Sequence, residues 1–406
     1  MKSKRVKELL AYIDAGKKPE KAAPVRTLNA LGSYPLAYRT FGGQPQGNGR
    51  LDDRTLESAF GSHYLLTMLA SGAVIRRMLY REEESCHSLY CDGMLYEYLD
   101  RHGLTEHGVW DRIDQEIIDQ KITMDNVDHR IYYSAAKPFA LMAEAKRVAE
   151  ERIPVLFVDT DLILKKRHDA ILKNPSGIRA AFGHLEAVGT PCYPDFMGLH
   201  FPEGVRLPEN LPADLPAVNT CLMYFNDLDL LTEWSVFFSR LFLHNHLPFS
   251  PDKEVISRQL LGIDQRTFPM IAALHGYWDT KQIEAFLEII WDPPFFYEYK
   301  NEYDGKERCR AEWHYYTLEH HPECRDWLQD IMHTWINKRN IERDIAYRNY
   351  QGCMMLEIIL ELEPGIEPYL RTFQSLTPYL ELQRDYGTIE NMLTYGAVRD
   401  KLDKSC

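Results

Sequence analysis

The sequence predicts an α/β protein with a mainly parallel central sheet flanked by helices, followed by a helical C-terminal subdomain. Segment 153–164 supplies the first observation, because it is dense in valine and phenylalanine after Pro154, as in a strand buried on both faces. Strand-like and helix-like segments alternate before and after it, which is the pattern of βαβ units. From about residue 325 onward, the pattern is almost entirely helical.

Composition limits the classes of protein that the chain can represent. Its 406 residues suffice for one large α/β domain with an appendage or for two domains, and 45% hydrophobic residues indicate a packed globule. The net charge of -13 opposes non-specific nucleic-acid binding, which requires a basic surface. An anionic substrate would therefore need a metal ion or a local group of Lys and Arg side chains.

The cysteines and the apolar segments bear on the compartment. None of the eight cysteines forms a C-x-x-C motif or a zinc-like pattern, so we expect reduced cysteines in a cytoplasmic protein. No apolar run is long enough to predict a signal peptide or a membrane span. The basic segment from Lys2 to Lys7 leaves peripheral contact with an anionic membrane open.

The elements before the central strand are predicted from periodicity and from residues that end helices. Residues 1–33 are predicted as an N-terminal helical extension, with an amphipathic helix over 4–15. The elements that follow are a first strand from Tyr34 to Phe41, a helix from Arg54 to Leu79, a strand from His87 to Asp92, a helix from Gly93 to His102, a strand-like piece from Val109 to Ile118, and a helix from Ile131 to Glu150.

The elements after the central strand begin with a loop from Pro191 to Pro216 that contains six prolines. A loop of this length without structure of its own is usually functional or disordered. The sequence then predicts a buried strand from Ala217 to Phe225, a helix from Leu228 to Phe242, and a helix over 264–274 with Asp264 at its N-cap. We place the main α/β domain at residues 34–324 and the helical subdomain at 325–406.

Two carboxylates, Asp159 and Asp161, follow the central strand. Ligands of open α/β sheets gather beyond the carboxyl ends of the strands, so charge is useful at this position. The two side chains point the same way in an extended segment or converge through a short turn. Hard oxygen ligands suit Mg²⁺ or Mn²⁺ carrying a phosphorylated substrate, although an Asp-x-Asp pattern also arises by chance.

Four segments together resemble the GT-A class of nucleotide-sugar glycosyltransferases, especially enzymes of the family 8 and family 32 kind. The first segment combines the helix carrying Ser134, Ala135, Lys137 and Pro138 with the DxD motif Asp159-Thr160-Asp161. The others are Val218-Asn219-Thr220 before an apolar strand, Asp264-Gln265 opening a helix, and a late histidine, for which His314 is the first choice. The resemblance covers about residues 34–320.

The resemblance implies a donor that is a nucleotide-diphosphate sugar and an acceptor that is a sugar, a lipid or a protein, as in polysaccharide biosynthesis. Asp161 and His314 would bind Mn²⁺ or Mg²⁺, with Asp159 contacting the ribose or the metal through water. Tyr38, Asp92 and Lys137 would contact the base, the nucleoside and the phosphates. Asn219, Asp264 and Gln265 would hold sugar and acceptor hydroxyl groups.

Each of these assignments has a structural alternative. Tyr38 is equally well explained as a core residue, Asp92 as a strand-end residue, and Lys137 as a solvated helix residue. Asn219 also suits a strand-initiating turn, and Asp264 a simple helix cap. His320 and His321 compete with His314 as the metal ligand. The aromatic residues Trp278, Trp291 and Tyr297 could form a sugar-binding surface or could pack in the core.

Two other functions compete with the glycosyltransferase hypothesis. Haloacid dehalogenase-type phosphatases also place Asp-x-Asp after a hydrophobic strand, but they continue with Gly-Thr, where this chain has Leu162-Ile163. A non-catalytic scaffold that keeps the fold is the second alternative, since Cys221 stands where the resembling family has glycine. A scaffold would bind neither metal nor nucleotide, which separates it from the enzyme.

Overall fold

A computed structural model of the chain describes most of the predicted sheet and the helices that cover it. The described residues are 7, 11, 24–31, 65–77, 86–121, 132–160, 162–164, 177–183, 185, 215–244, 263–278, 280, 282–285, 331–333 and 345–387. Residues 7 and 11 are helical. The rest of the predicted N-terminal helix, and the predicted strand from Tyr34 to Phe41, lie outside these ranges.

The strands form a seven-stranded sheet in the order β3-β2-β1-β4-β7-β6-β8 and a two-stranded sheet of β5 and β9. Their bounds are β1 Arg26–Leu31, β2 Cys86–Cys91, β3 Arg112–Asp114, β4 Val155–Val158, β5 Leu162–Leu164, β6 Ala180–Phe182, β7 Leu222–Phe225, β8 Ile283–Ala285 and β9 Ile331–His333. In the large sheet as described, β7 runs antiparallel to β4 and β6, and the other pairings are parallel. The predicted α/β fold with a mainly parallel sheet is confirmed.

Helices cover both faces of this sheet. In chain order they are α1 over residues 65–77, α2 Gly93–Arg101, α3 Leu104–His107, α4 Glu116–Lys121, α5 Tyr132–Val148, α6 Leu228–His244, α7 Ile263–Leu274, α8 Ile345–Leu362, α9 Glu367–Leu370 and α10 Thr377–Tyr386. Short 3-10 turns at Pro364–Ile366 and Gln374–Leu376 join the last three helices. In the described part of the chain, no helix combines the length and apolar character of a membrane-spanning segment.

Strand β4 lies at the centre of the sheet and is buried along its whole length. Successive side chains of a strand point to opposite faces, and here the two faces form two hydrophobic clusters. Leu156 and Val158 belong to the first core cluster, which includes residues of α1, α2, α8 and α10. Val155 and Phe157 belong to the second core cluster, formed with α5, α6 and α7. The predicted burial of this strand on both faces is therefore confirmed.

Strand β1 occupies a position that the sequence assigned to the N-terminal extension. Arg26–Leu31 pairs in parallel with β2 and β4, so the sheet already includes residues before 33. The sequence did not predict this strand, because two polar residues interrupt its apolar run. Both are nevertheless buried. Thr27 Oγ1 lies 2.9 Å from His87 Nδ1, and Asn29 donates to the Val158 carbonyl oxygen at 2.6 Å. The predicted N-terminal extension is therefore shorter than residues 1–33, because the sheet already begins at Arg26.

The C-terminal region is mainly helical over the described residues 345–386, as predicted, and it also contains the short strand β9, which the sequence did not predict. Ile331–His333 pairs antiparallel with Leu162–Leu164, the strand that follows the predicted DxD motif. The helices pack closely on one another, since a Cβ atom at Gly352 in α8 would lie 2.4 Å from Tyr379 in α10. Residues of both helices belong to the same core cluster as the sheet, so this region shares a core with the sheet.

Polar side chains between β2, β3 and α5 form a buried network around Tyr90. Its hydroxyl donates to Glu144 Oε2 at 2.5 Å and accepts from Arg112 at 3.0 Å. Glu144 is fully buried and is paired with Arg147. Burial and the neighbouring Glu144 carboxylate raise the pKa of Tyr90 above its usual range. The hydroxyl therefore remains a neutral donor to a buried carboxylate.

Two tyrosine-to-phenylalanine substitutions should differ in their effect on the free energy of unfolding. Tyr90→Phe removes a donor from the buried Glu144 carboxylate, and we expect it to lower the free energy of unfolding by roughly 1–3 kcal/mol. Tyr224→Phe is the matched control, because the Tyr224 hydroxyl is buried and makes no hydrogen bond within the described ranges. We expect that substitution to be neutral or stabilising in urea unfolding. A larger loss for Tyr224→Phe than for Tyr90→Phe would contradict this account.

The buried His87 makes the fold sensitive to acid. Burial lowers its pKa from 6.5 to about 4, although Asp111 opposes the shift. Between these values the unfolded chain binds a proton that the folded chain does not bind. The contribution of His87 to stability is thus complete above pH 6.5 and is lost as the pH falls towards 4, by at most roughly 3 kcal/mol.

We expect His87→Gln to flatten the pH dependence of unfolding between pH 7 and pH 4. The measurement is the free energy of unfolding in urea across this range. His244→Gln is the control, because His244 lies exposed at the end of α6. An unchanged slope in His87→Gln would show that other groups dominate the acid sensitivity.

Candidate functional site

The reversed direction of β7 brings several predicted site residues to one edge of the sheet. Asp159 follows the carboxyl end of β4, while Asn219, Thr220 and Cys221 precede the amino end of β7. Because the two strands are antiparallel, these segments lie side by side, and the Asp159 amide donates to the Cys221 carbonyl oxygen at 2.8 Å. The carboxyl ends of β6 and β8 lie at the same edge.

Lys137 is the residue that joins these segments. It lies on α5, and only 8% of its side chain is exposed. Its ammonium donates to the Thr220 carbonyl oxygen at 2.6 Å, to Thr220 Oγ1 at 2.9 Å and to Asp264 Oδ2 at 3.0 Å. An ammonium has three N–H donors, so these contacts use its hydrogen-bonding capacity. The alternative of a solvated helix lysine is wrong, and direct hydrogen bonding to donor phosphates is not supported.

Asp264 is held on both carboxylate oxygens. Its Oδ2 atom accepts from Lys137 and, at 2.5 Å, from the Thr220 hydroxyl. Its Oδ1 atom accepts from the backbone amide of Gln265 at 2.8 Å. The residue lies in the first turn of α7, and 13% of its side chain is exposed. Asp264 is therefore an ion-pair partner across elements rather than the simple helix cap offered as an alternative by the sequence.

The charges in this group compensate one another. Burial alone would lower the pKa of Lys137, but Asp159 and Asp264 outweigh that effect and raise the pKa above its usual value. The ammonium also lies 4.5 Å from the centre of the Phe157 ring, which adds a cation–π contact. Lys137 is consequently a fixed positive charge at the sheet edge.

Asp159 is the more exposed carboxylate of the site. Oδ1 lies 4.0 Å from the Lys137 ammonium, and 37% of the side chain is accessible. An accessible carboxylate at the open end of a strand fits the oxygen ligand that Mg²⁺ or Mn²⁺ requires. Its predicted partners Asp161 and His314, and the competing His320 and His321, lie outside the described residues. Within the described ranges no group of three or more His, Cys, Asp or Glu residues could hold a metal.

Gln265 and Asn219 complete the group in different ways. Gln265 Oε1 is buried and has no hydrogen-bond partner in the part of the chain that the structure describes. A buried acceptor without a donor costs free energy, and a hydroxyl group of a ligand would satisfy it. Asn219 Oδ1 accepts from the Cys221 amide at 3.0 Å, which matches the alternative of a strand-initiating turn.

The remaining predicted residues do not join this group within the described structure. Asp92 caps α2 by accepting from the Leu95 amide at 2.9 Å, at the end of β2 and two strands from β4. Trp278 stacks on Phe182 with ring centres 6.0 Å apart, which favours core packing. Tyr38, Trp291 and Tyr297 lie outside the described ranges, as does most of the proline-rich loop.

Thr220 is a site residue that the sequence placed in a motif but to which it assigned no role of its own. Its hydroxyl accepts from Lys137 and donates to Asp264, so it lies between the two charges. The only signal in the sequence is its position in the Asn219-Thr220 pair before an apolar strand. Among the described residues, Cys221, Cys91 and Cys353 are buried and Cys86 is partly exposed, and none of these four forms a disulfide with another described cysteine.

We expect Lys137→Met to lower the free energy of unfolding by roughly 3–5 kcal/mol, because Asp264 would keep a buried charge without its partner. Lys146→Met on the same helix is the matched control, since Lys146 is exposed. Urea unfolding of both variants measures the difference. Equal stabilities of the two variants would show that the buried ion pair does not hold these elements together.

Comparisons with known proteins give structural similarities only. No protein-family model matches the chain, and no curated protein matches it in sequence. Mouse xyloside xylosyltransferase 1, in its apo form, aligns with a TM-score of 0.33 and 14% identity over 65% of this chain and 85% of that chain. The glycosyltransferase GlyE of Streptococcus pneumoniae aligns with a TM-score of 0.38 and 12% identity over 84% of this chain, which spans 64% of GlyE.

An active-site mutant of LgtC aligns with a TM-score of 0.31 and 10% identity, over 70% of this chain and 80% of that one. At such low TM-scores and identities, these similarities establish neither a family nor an activity for this chain.

Proposed function

We propose that this chain is a glycosyltransferase of the GT-A type that transfers a sugar from a nucleotide-diphosphate sugar to an acceptor. The observation that carries the proposal is the polar group of Lys137, Thr220 and Asp264 beside Asp159 at the carboxyl edge of the sheet. Ligands of open α/β sheets bind at this edge. The same segments carry the motifs that resemble this enzyme class in the sequence.

The position of Asp159 supports a metal-assisted donor site. Its accessible carboxylate lies where the strand ends, and Asp161 follows two residues later in the chain. We assign Asp159, Asp161 and His314 as the residues that hold Mn²⁺ or Mg²⁺. When bound, such a cation supplies a Lewis acid for the charge that develops on a nucleoside-diphosphate leaving group.

The opposite side of the group would hold the sugar. Gln265 Oε1, which has no hydrogen-bond partner among the described residues, can accept a hydroxyl hydrogen, and the neighbouring Asp264 is oriented by Lys137 and Thr220. Preorganised polar groups favour a reaction because they need not reorient when charge develops. We therefore propose that Asp264 and Gln265 orient donor and acceptor hydroxyl groups, and that Lys137 positions Asp264 instead of binding phosphate. Tyr38 and Asp92 are proposed nucleoside contacts.

Thermal unfolding with nucleotides tests this function. We expect one of UDP, GDP, ADP and CMP to raise the melting temperature of the full chain in the presence of Mn²⁺. A ligand at a hundred times its dissociation constant stabilises the fold by about 2.7 kcal/mol. Asp159→Asn and Asp161→Asn should lose the Mn²⁺-dependent rise, while Asp229→Asn, at an exposed position on α6, should keep it.

The outcomes separate the competing functions. A rise with one nucleotide that does not need Mn²⁺ would retain the donor site and contradict the metal assignment. No rise with any nucleotide would contradict the glycosyltransferase proposal and would favour a phosphatase or a scaffold. Hydrolysis of a phosphate monoester by the same preparation would then distinguish those two.

A further inference from the structure

We propose that the Thr220 hydroxyl fixes the orientation of the Asp264 carboxylate, so that the site recognises a hydroxyl group of the donor sugar through the Asp264 Oδ1 atom. This inference rests on the proposed function and deepens it, because it states how the site selects its sugar. Thr220 is here a positioning residue, since it acts through Asp264 and not on the sugar itself.

The hydrogen atoms between Lys137, Thr220 and Asp264 follow from their donor and acceptor chemistry. A lysine ammonium can only donate, so the Thr220 Oγ1 atom accepts from Lys137 at 2.9 Å. The single hydroxyl hydrogen of Thr220 is therefore directed at Asp264 Oδ2, which lies 2.5 Å away. Lys137 donates to the same oxygen at 3.0 Å, so both acceptor positions of Oδ2 are used.

The other carboxylate oxygen keeps one acceptor position for a ligand. Within the described residues, Asp264 Oδ1 accepts only from the backbone amide of Gln265, at 2.8 Å. A carboxylate offers about four acceptor positions, and the contacts of Asp264 leave one of them open on Oδ1. Since 13% of the Asp264 side chain is exposed, the carboxylate is not sealed from a ligand. The open position can accept one hydrogen bond, which a sugar hydroxyl group can donate.

Thr220 decides the orientation, because the Asp264 side chain does not fix it alone. Rotation about the last bond of an aspartate side chain has broad, roughly two-fold minima, so external hydrogen bonds set the plane of the carboxylate. The Lys137 ammonium is a compact charge with rotatable donors and imposes little direction. Thr220 is held in place, because its carbonyl oxygen accepts from Lys137 at 2.6 Å and only 1% of the residue is exposed. Its branched side chain is stiff, so its hydroxyl is the directional contact.

The sugar site therefore depends on a hydroxyl group that does not touch the sugar. Without the Thr220 hydroxyl, the carboxylate can turn and present either oxygen, and the hydrogen bond to the sugar loses its fixed direction. The loss falls on the sugar and spares the nucleotide, because the proposed nucleoside contacts, Tyr38 and Asp92, lie elsewhere in the chain.

The test compares the affinity of the full chain for a nucleotide with its affinity for the corresponding nucleotide sugar, by isothermal titration calorimetry in the presence of Mn²⁺. The probes are UDP with UDP-glucose and UDP-N-acetylglucosamine, and GDP with GDP-mannose. We expect one of the sugars to increase the affinity of the wild type over that for the nucleotide alone. Thr220→Val should reduce this sugar-dependent increase about tenfold, as for the loss of one hydrogen bond to a charged group, and should bind the nucleotide alone as the wild type does.

Further variants separate the hydroxyl from the fold. Thr220→Ser keeps the hydroxyl and should retain most of the sugar-dependent increase, a rescue that a role in packing alone would not produce. Thr232→Val makes the same substitution at an exposed position of α6 and should bind all probes as the wild type does. If Thr220→Val does not fold, Thr220→Ala removes the hydroxyl with less crowding and takes its place.

Failure of this inference can be distinguished from failure of the proposed function. An unchanged sugar-dependent increase in Thr220→Val, or an equal loss in Thr220→Ser, would overturn the role of the hydroxyl and leave the proposed function standing. Nucleotide binding by the wild type with no gain from any of the sugars would overturn the sugar contact at Asp264. No nucleotide binding by the wild type would overturn the proposed function together with this inference.

Discussion

The buried ammonium of Lys137 is the interaction on which the edge of the sheet depends. Through it, α5 contacts the segment that leads into β7 and the first turn of α7, and its charge reaches Asp159 at the end of β4. These four segments are far apart in the chain, and each places polar groups at the margin of an apolar core. The Lys137 ammonium satisfies these groups, because the carboxylates near it carry the opposite charge and each of its three N–H groups has an acceptor.

Packing of the sheet fixes the positions of the residues that contact Lys137. Leu156 and Val158 are fixed in one core cluster, and Val155 and Phe157 in the other, so β4 cannot slip by one residue without exchanging its two faces. Asp159 therefore leaves the sheet at a defined place. The antiparallel β7 then returns Thr220 to that same place, which a parallel strand would have carried to the opposite edge.

The sequence predicted well what depends on local pattern. The run around Phe157 identified the central strand, and periodicity located α5, α6 and α7, since apolar spacing reports burial directly. Strand β1 was not predicted because the polar residues Thr27 and Asn29 interrupt its apolar run, and their buried partners, His87 and the Val158 carbonyl, lie far away in the chain. The pairing of Lys137 with Asp264 spans 127 residues, and no local pattern encodes such a contact. Asp264 looked like a cap for the same reason.

The location of the polar group is itself an argument for function. A buried ion pair often adds little net stability compared with apolar residues of the same shape, because both ions lose their hydration. Gln265 Oε1, buried without a partner in the described part of the chain, is likewise a cost to the folded state. These two costly features lie beside Asp159 at the edge where α/β sheets bind ligands, whereas a site shaped only for stability would have replaced them with apolar side chains.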